Sequence, residues 1–108
     1  MEFITSEELA EKKKDDVLIL DIRDDIKFRT NTVPGSINID VYSDIKLGRY
    51  EIVKKKLVVL PKDKEIITVC NAGVIAQPAS LILESMGYRT RVLENGMIGW
   101  NGIKSDAN

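Results

Sequence analysis

The sequence predicts a single α/β domain in which a largely parallel β-sheet is covered by helices on both faces. Its 108 residues fit one domain of ordinary size, 1–108. Segments typical of strands alternate with segments typical of helices, which is the order that right-handed crossovers between parallel strands require. The run Val17-Leu18-Ile19-Leu20 is apolar without interruption, as expected of a strand buried on both faces of the sheet.

The first part of the chain contains signals for three strands and two short helices. Thr5, followed three residues later by Glu8, forms a capping-box pattern and marks the start of a helix. Val33-Pro34-Gly35-Ser36 is typical of a turn. The predicted elements are, in order, a small edge strand at Phe3 and Ile4, a helix from Thr5 towards Lys14, the strand 17–20, a helix over Asp24–Arg29 and a strand over Ile37–Ile39.

The second part is predicted to continue the alternation. We expect two helices between Tyr42 and Leu60, broken near Gly48, with Lys54-Lys55-Lys56 in water. Their inward positions are predicted to be Ile52, Val53, Leu57 and Leu60. The remaining predicted elements are the strand Ile66–Val69, a helix over Ala76–Met86 ended by Gly87, the strand Thr90–Leu93, a brief helix over Ile98–Asn101 and a frayed end over Lys104–Asn108.

Composition narrows the classes of partner and compartment. Hydrophobic residues make up 44% and charged residues 31%, so a folded core is expected. Sixteen basic residues against 17 acidic ones give a net charge of -1, so we expect neither nucleic acid nor a membrane as partner. The chain has neither an apolar run of about 20 residues nor the pattern of a secretory signal, and a cytoplasmic location is therefore expected.

Two features of composition limit the chemistry. With no histidine, the chain offers no imidazole base or imidazole metal ligand. With one cysteine, it offers no internal disulfide, no paired-thiol redox motif and no thiolate zinc cluster. No metal or other cofactor is expected.

The single thiol lies where a reactive group would be expected. Cys70 closes the strand Ile66–Val69, and the carboxyl ends of parallel strands are where ligands bind in such sheets. Backbone amides around a sulfur favour the thiolate, which is the nucleophilic form. A role as a small core residue is the alternative, since free cysteine is often buried. The residues expected to surround the sulfur are Asn71, Ala72, Gly73, Val74, Ile75 and Ala76.

A second strand end carries Asp21 and Arg23. Two residues apart on a strand, their side chains share a face. A structural ion pair that supports the loop of Cys70 is the favoured interpretation, and a direct catalytic role is the alternative.

Three stretches of the chain carry motifs that belong together. They are Leu20-Asp21-Ile22-Arg23 with Val33-Pro34-Gly35-Ser36-Ile37-Asn38-Ile39, then Ile67-Thr68-Val69-Cys70-Asn71-Ala72-Gly73, then Val92-Leu93-Glu94-Asn95-Gly96-Met97-Ile98-Gly99-Trp100. In this order they resemble a single rhodanese-homology (sulfurtransferase) domain from about Leu9 to Trp100.

The resemblance implies a rhodanese-like fold in three layers, with a five-stranded, mostly parallel sheet between helices. It also implies that Cys70 cycles between thiolate and persulfide, taking sulfur from a small anionic donor such as thiosulfate or from a donor protein such as a cysteine desulfurase. The acceptor would be a thiol or cyanide. Active members of the family often have an arginine where this chain has Ile75, so thiosulfate is expected to be a poor donor.

Other interpretations remain open at this point. The domain could be a sulfur relay or regulatory module with little turnover of its own. A phosphatase or arsenate reductase of related fold would need an arginine in the loop, whereas the next cation after Cys70 is Arg89. Lys12-Lys13-Lys14 is expected to be a solvated face that could also meet an acidic protein. Trp100 is expected to be a core or lid residue.

Overall fold

The fold is that of a parallel α/β domain. The computed structural model describes residues 1–106, with side chains described through residue 103. Within this part the strands are β1 (Phe3–Ile4), β2 (Val17–Asp21), β3 (Ile37–Asn38), β4 (Glu65–Val69) and β5 (Thr90–Leu93). The helices are α1 (Ser6–Glu11), α2 (Asp25–Thr30), α3 (Tyr42–Lys46), α4 (Tyr50–Leu57), α5 (Ala76–Ser85) and α6 (Gly96–Asp106).

The strands form one sheet in the order β1-β5-β4-β2-β3, and every adjacent pair is parallel. All five carboxyl ends therefore lie at the same edge. Since β4 is flanked by β5 and β2, Cys70 leaves the sheet at its centre. The predicted fold class, a five-stranded parallel sheet between helices, is confirmed.

Alternation along the strands sends side chains to two separate apolar clusters. In β4, Ile66 belongs to the cluster covered by α3, α4 and α5, whereas Ile67 belongs to the cluster covered by α1 and α6. Cys70 belongs to the first cluster and Trp100 packs against the second. The sheet thus separates two helical layers, and the cysteine faces the layer that contains α5.

Most predicted elements are observed near their predicted positions, with two corrections. Ile52 was expected to face inward but is 42% exposed, because the buried stripe of α4 consists of Val53 and Leu57, four residues apart. The last helix is longer than the predicted Ile98–Asn101, since it begins at Gly96 and reaches Asp106. The end expected to be frayed, Lys104–Asn108, is instead helical through Asp106, and residues 107 and 108 lie outside the described residues.

The predicted capping box at α1 is present. The Glu8 N–H donates to Thr5 Oγ1 at 3.1 Å, and the Thr5 N–H donates to Glu8 Oε1 at 3.0 Å. The bond from the Thr5 backbone, followed by that from its side chain, lowers the pKa of the Glu8 carboxyl from its ordinary value. The carboxylate therefore persists as the cap to more acidic pH than an ordinary glutamate would. In the described part of the chain, no helix is long and apolar enough to cross a membrane.

Candidate active site

Cys70 lies at the carboxyl end of β4 with its sulfur directed towards the start of α5. Its Sγ accepts a hydrogen bond from the Ala76 N–H at 3.3 Å, and Ala76 is the first residue of α5. The N–H groups of a first helical turn have no partner within the helix and carry partial positive charge. The residue is only 2% exposed, so the sulfur lies beneath the loop rather than above it.

The loop after Cys70 is held from the other side by α6. The Met97 N–H donates to the Cys70 carbonyl at 2.9 Å, and the Ile98 N–H donates to the Asn71 carbonyl at 3.1 Å. In a planar trans peptide, a carbonyl and the following N–H point in opposite directions. The N–H groups of Asn71 and Ala72 are therefore directed away from α6.

The amides of the loop remain available to a bound group. Within the described part of the chain, the backbone N–H groups of residues 71–75 donate to no protein acceptor. Of the six amides expected around the sulfur, only that of Ala76 donates to Sγ among the described residues. The other five, those of residues 71–75, are unpaired in the same part of the chain. Consecutive unpaired N–H groups form the kind of concave site that binds anions.

Two glycines allow this close approach of backbones. Gly73 has φ +81°, and a Cβ there would lie 3.1 Å from the Asn95 nitrogen. Gly96, at φ +51°, is tighter still, because a Cβ would collide with the Cys70 carbonyl oxygen and lie 2.8 Å from the Asn71 carbonyl carbon. Only glycine lets α6 begin against this loop.

Asp21 and Arg23 form a buried ion pair, as the favoured interpretation expected. Arg23 donates through Nη2 to Asp21 Oδ2 at 2.8 Å and through Nε to Oδ1 at 3.1 Å. The side chain of Asp21 is fully buried and also accepts a hydrogen bond from Thr32 Oγ1 at 2.7 Å. Arg23 also donates to the Asn31 carbonyl at 2.6 Å. The pair therefore anchors the turn that leads into β3.

The pair reaches the cysteine loop across a small pocket rather than by direct bonds. In the described residues no hydrogen bond joins Arg23 to residues 70–76. Arg23 and Asn71 instead line the same pocket of about 100 Å³. Direct hydrogen bonds therefore do not provide the predicted support of the loop, which stays a prediction.

The charges around the pocket balance. Lys27 and Arg23 contribute two cations, while Asp24 and Asp40 contribute two carboxylates. Arg23 is in addition paired with Asp21. Sequence reasoning missed Lys27 and Asp40, because only the fold brings their segments to the same strand ends.

Apolar side chains flank the loop on its outer side. Val74 is 63% exposed and Ile98 is 60% exposed, although both adjoin the buried sulfur's loop. Ile75 is half-buried and packs against the core on the α5 side. Val74 and Ile98 therefore leave apolar side chains in solvent near the loop.

Arg89 lies at the opposite edge of the sheet. It precedes β5, and its carbonyl accepts a hydrogen bond from the Ile66 N–H at the start of β4. Cys70 follows the other end of that strand. Arg89 is therefore not placed to clamp a phosphoryl group at the cysteine.

Comparison with known proteins agrees with this geometry. The rhodanese-like domain family matches residues 5–103. The chain belongs to this family. Its relatives include YtwF of Bacillus subtilis, which is 27% identical over 92% of this chain and 89% of its own length.

Solved structures show the same fold. A rhodanese-related protein of Thermoplasma volcanium has a TM-score of 0.78 at 22% identity, covering 94% of this chain and 92% of its own. The single-domain sulfurtransferase RDL2 of Saccharomyces cerevisiae has a TM-score of 0.71 at 28% identity, covering 99% of this chain and 93% of its own. The rhodanese-like fold expected from the sequence motifs is confirmed.

The contact between α6 and the loop yields a prediction for Gly96. We expect Gly96→Ala to lower the free energy of unfolding by about 2–5 kcal/mol, because the new Cβ meets backbone at a positive φ. Gly102→Ala, in the same helix with open space around it, should instead raise it by up to about 1 kcal/mol. Urea unfolding of both variants checks this, and equal stabilities would contradict the tight contact.

The buried ion pair yields a second prediction, with an exposed pair as its control. Asp21→Asn leaves Arg23 charged and buried, and should cost about 3–5 kcal/mol of unfolding free energy. Asp25→Asn breaks the pair with Arg29, in which both side chains are about two-thirds exposed, and should cost less than about 1 kcal/mol. Similar losses of unfolding free energy in the two variants would show that the buried pair of Asp21 stabilises the fold no more than an exposed pair does.

Proposed function

We propose that this protein is a sulfurtransferase that carries sulfane sulfur as a persulfide on Cys70. The observation that supports this best is the hydrogen bond from the Ala76 N–H to the sulfur of the chain's only thiol, in a loop whose N–H groups at residues 71–75 donate to no protein acceptor in the described part of the chain. Membership of the rhodanese-like family, which includes the sulfurtransferase RDL2 among its structures, supports the same reaction class.

The first step loads the cysteine. The Cys70 thiolate attacks the outer sulfur of a donor, R–S–S⁻, so that a new S–S bond forms and the donor's S–S bond breaks. The electron pair of the broken bond leaves with R–S⁻, or with sulfite when the donor is thiosulfate. No oxidant or reductant is consumed, and no general base is needed once the thiol is ionised. This suits a chain without histidine.

The second step unloads it. An acceptor thiolate or cyanide attacks the outer sulfur of the persulfide, and the Cys70 thiolate leaves with the electron pair. Between the two steps the outer sulfur carries negative charge, which the unpaired N–H groups of residues 71–75 would stabilise as an oxyanion hole stabilises oxygen. The amides of Asn71 and Ala72, directed away from α6, are the first candidates.

The electrostatics favour a persulfide donor over thiosulfate. Residues 71–76 contain no charged side chain, and the adjoining pocket has as many carboxylates as cations. A dianion would therefore find no excess positive charge. The exposed Val74 and Ile98 instead offer an apolar contact for a protein that presents a cysteine persulfide.

A sulfur relay with little independent turnover is the second candidate, and the same charge balance favours it. A relay accepts sulfur from a partner protein and passes it on without appreciable turnover of small donors. Loading of Cys70 by a cysteine desulfurase combined with negligible thiosulfate activity would identify the relay.

Loading can be measured directly. After incubation with a cysteine desulfurase and cysteine, we expect the intact mass to rise by one sulfur atom, and cyanide should then release thiocyanate. Cys70→Ala, which keeps a small apolar side chain in the core, is the matched control and should do neither. Equal sulfur uptake or equal thiocyanate formation by the two proteins would overturn the proposed function.

The arginine that active members of the family often have in this loop can be introduced at position 75. Ile75→Arg should raise kcat/KM for thiosulfate about 10- to 150-fold, the value of one charge-assisted hydrogen bond to the dianion. Ile75→Gln controls for loss of the apolar side chain, and Val74→Arg controls for charge at a neighbouring, exposed position. A similar gain from Val74→Arg, or no gain from Ile75→Arg, would show that a cation at position 75 is not what thiosulfate lacks.

A further inference from the structure

A second cavity lies on the sheet face opposite Cys70, between α1 and α6. Its volume is about 270 Å³, and Val17 and Ile19 of β2 form its floor. Leu9 of α1 and Trp100 of α6 form two walls, and the turn 33–35 closes a third side. We call this cavity the α1–α6 groove. It shares no lining residue with the pocket beside Asn71.

The charge of this groove differs from that of the cysteine pocket. Among the residues whose side chains the structure describes, those up to residue 103, Lys12 and Lys14 are the only charged ones that line it. Both lysines are exposed and follow the end of α1 at Glu11. Lysine stems lie along apolar surface while their ammonium groups stay in water, so the two cations lie at the rim of an apolar cavity.

This combination selects a class of ligand. Small-molecule sites are mainly apolar with a few convergent polar groups, and pockets for drug-sized ligands occupy about 300–1,000 Å³. A cavity of about 270 Å³ therefore suits a somewhat smaller molecule. An apolar body would occupy the space between Val17, Ile19 and Trp100, and an anionic group would lie between the ammonium groups.

We propose that the α1–α6 groove binds a small amphipathic carboxylate, with an aliphatic or aromatic body placed against Trp100 and its carboxylate at Lys12 and Lys14. Lys13, between them in sequence, does not line the groove. This site is separate from the sulfur chemistry, and the proposal does not depend on Cys70 being reactive.

Trp100 provides the measurement, since it is the only tryptophan in the chain. Octanoate is the probe, and its neutral analogue octanol has the same apolar chain without the charge. Octanoate should shift the Trp100 emission saturably, whereas octanol should bind more weakly. The Cys70→Ala protein should respond as the unmodified protein does. No saturable shift with octanoate, or equal binding of octanol, would overturn the proposal.

Three variants locate the site. Lys12→Gln combined with Lys14→Gln should raise the dissociation constant for octanoate about 2- to 30-fold, as expected for two partly exposed ion pairs. Lys13→Gln combined with Lys55→Gln removes the same charge from exposed positions outside the groove and should leave it unchanged. Ala10→Phe, which fills the groove from the exposed side of α1, should abolish the response while circular dichroism shows an intact fold. Equal weakening by the two lysine pairs would indicate attraction to net charge alone and would also overturn the site.

Discussion

The geometry of the candidate active site depends on the contact between the start of α6 and the backbone of the cysteine loop. Two backbone N–H groups of α6 donate to the carbonyls of Cys70 and Asn71, and these hydrogen bonds hold the loop in place. Because each bonded carbonyl fixes the direction of the N–H that follows it, this contact also decides which way the loop presents its donors. The amide of Ala76 then approaches the sulfur from the α5 side. Cys70 is therefore bound by the starts of two helices, since its carbonyl accepts a hydrogen bond from α6 and its sulfur accepts one from α5.

The two faces of the sheet differ in the charged groups that surround their candidate sites. Around the cysteine loop, the cations Arg23 and Lys27 are matched by carboxylates, and the positive potential available to a bound group comes from backbone amides alone. Such amides stabilise charge that is placed among them but attract a distant dianion only weakly. Across the sheet, Lys12 and Lys14 are the charged residues that line an apolar cavity, among the side chains described through residue 103. This difference is why we propose the groove, rather than the mouth of the cysteine loop, as the site for a small carboxylate.

Much of the fold could be predicted from sequence because local signals and tertiary context agreed. The apolar runs of β2 and β4 and the capping box at Thr5 appear in the structure as expected. The prediction that Ile52 faces inward was wrong. Adjacent residues of a helix point in different directions, and the buried stripe of α4 includes Val53. The length of α6 was underestimated, since its glycines lower helix propensity and the helix is supported by tertiary packing, including packing against α1.

The candidate site was less accessible to sequence reasoning. A run of small residues after Cys70 indicated a loop of amides, but which carbonyls those residues would turn towards α6 depends on a contact with residues 97 and 98. The same holds for the neutral pocket, since Lys27 and Asp40 are distant in sequence from Asn71 and meet it only at the edge of the sheet. The pairing of Asp21 and Arg23 was predicted from their spacing, but β2 ends at Asp21 and Arg23 lies in the bend that follows, where its backbone N–H also donates to Asp21 Oδ1.

Both proposed sites draw on α6, and its packing explains how they coexist. Met97 and Ile98 contribute backbone to the cysteine loop, while Trp100, less than one turn later, forms a wall of the groove. Gly99 lies between these residues. A Cβ at this position would come within 2.9 Å of the side chain of Asn95, the residue that precedes α6, so this part of the helix packs without free space. A ligand in the groove must therefore fit the wall that α6 presents rather than displace it, because displacement would break the two hydrogen bonds that orient the loop. The preformed cavity beside Trp100 meets that requirement, which is why we place the apolar body of the ligand against the helix and its carboxylate at the exposed Lys12 and Lys14.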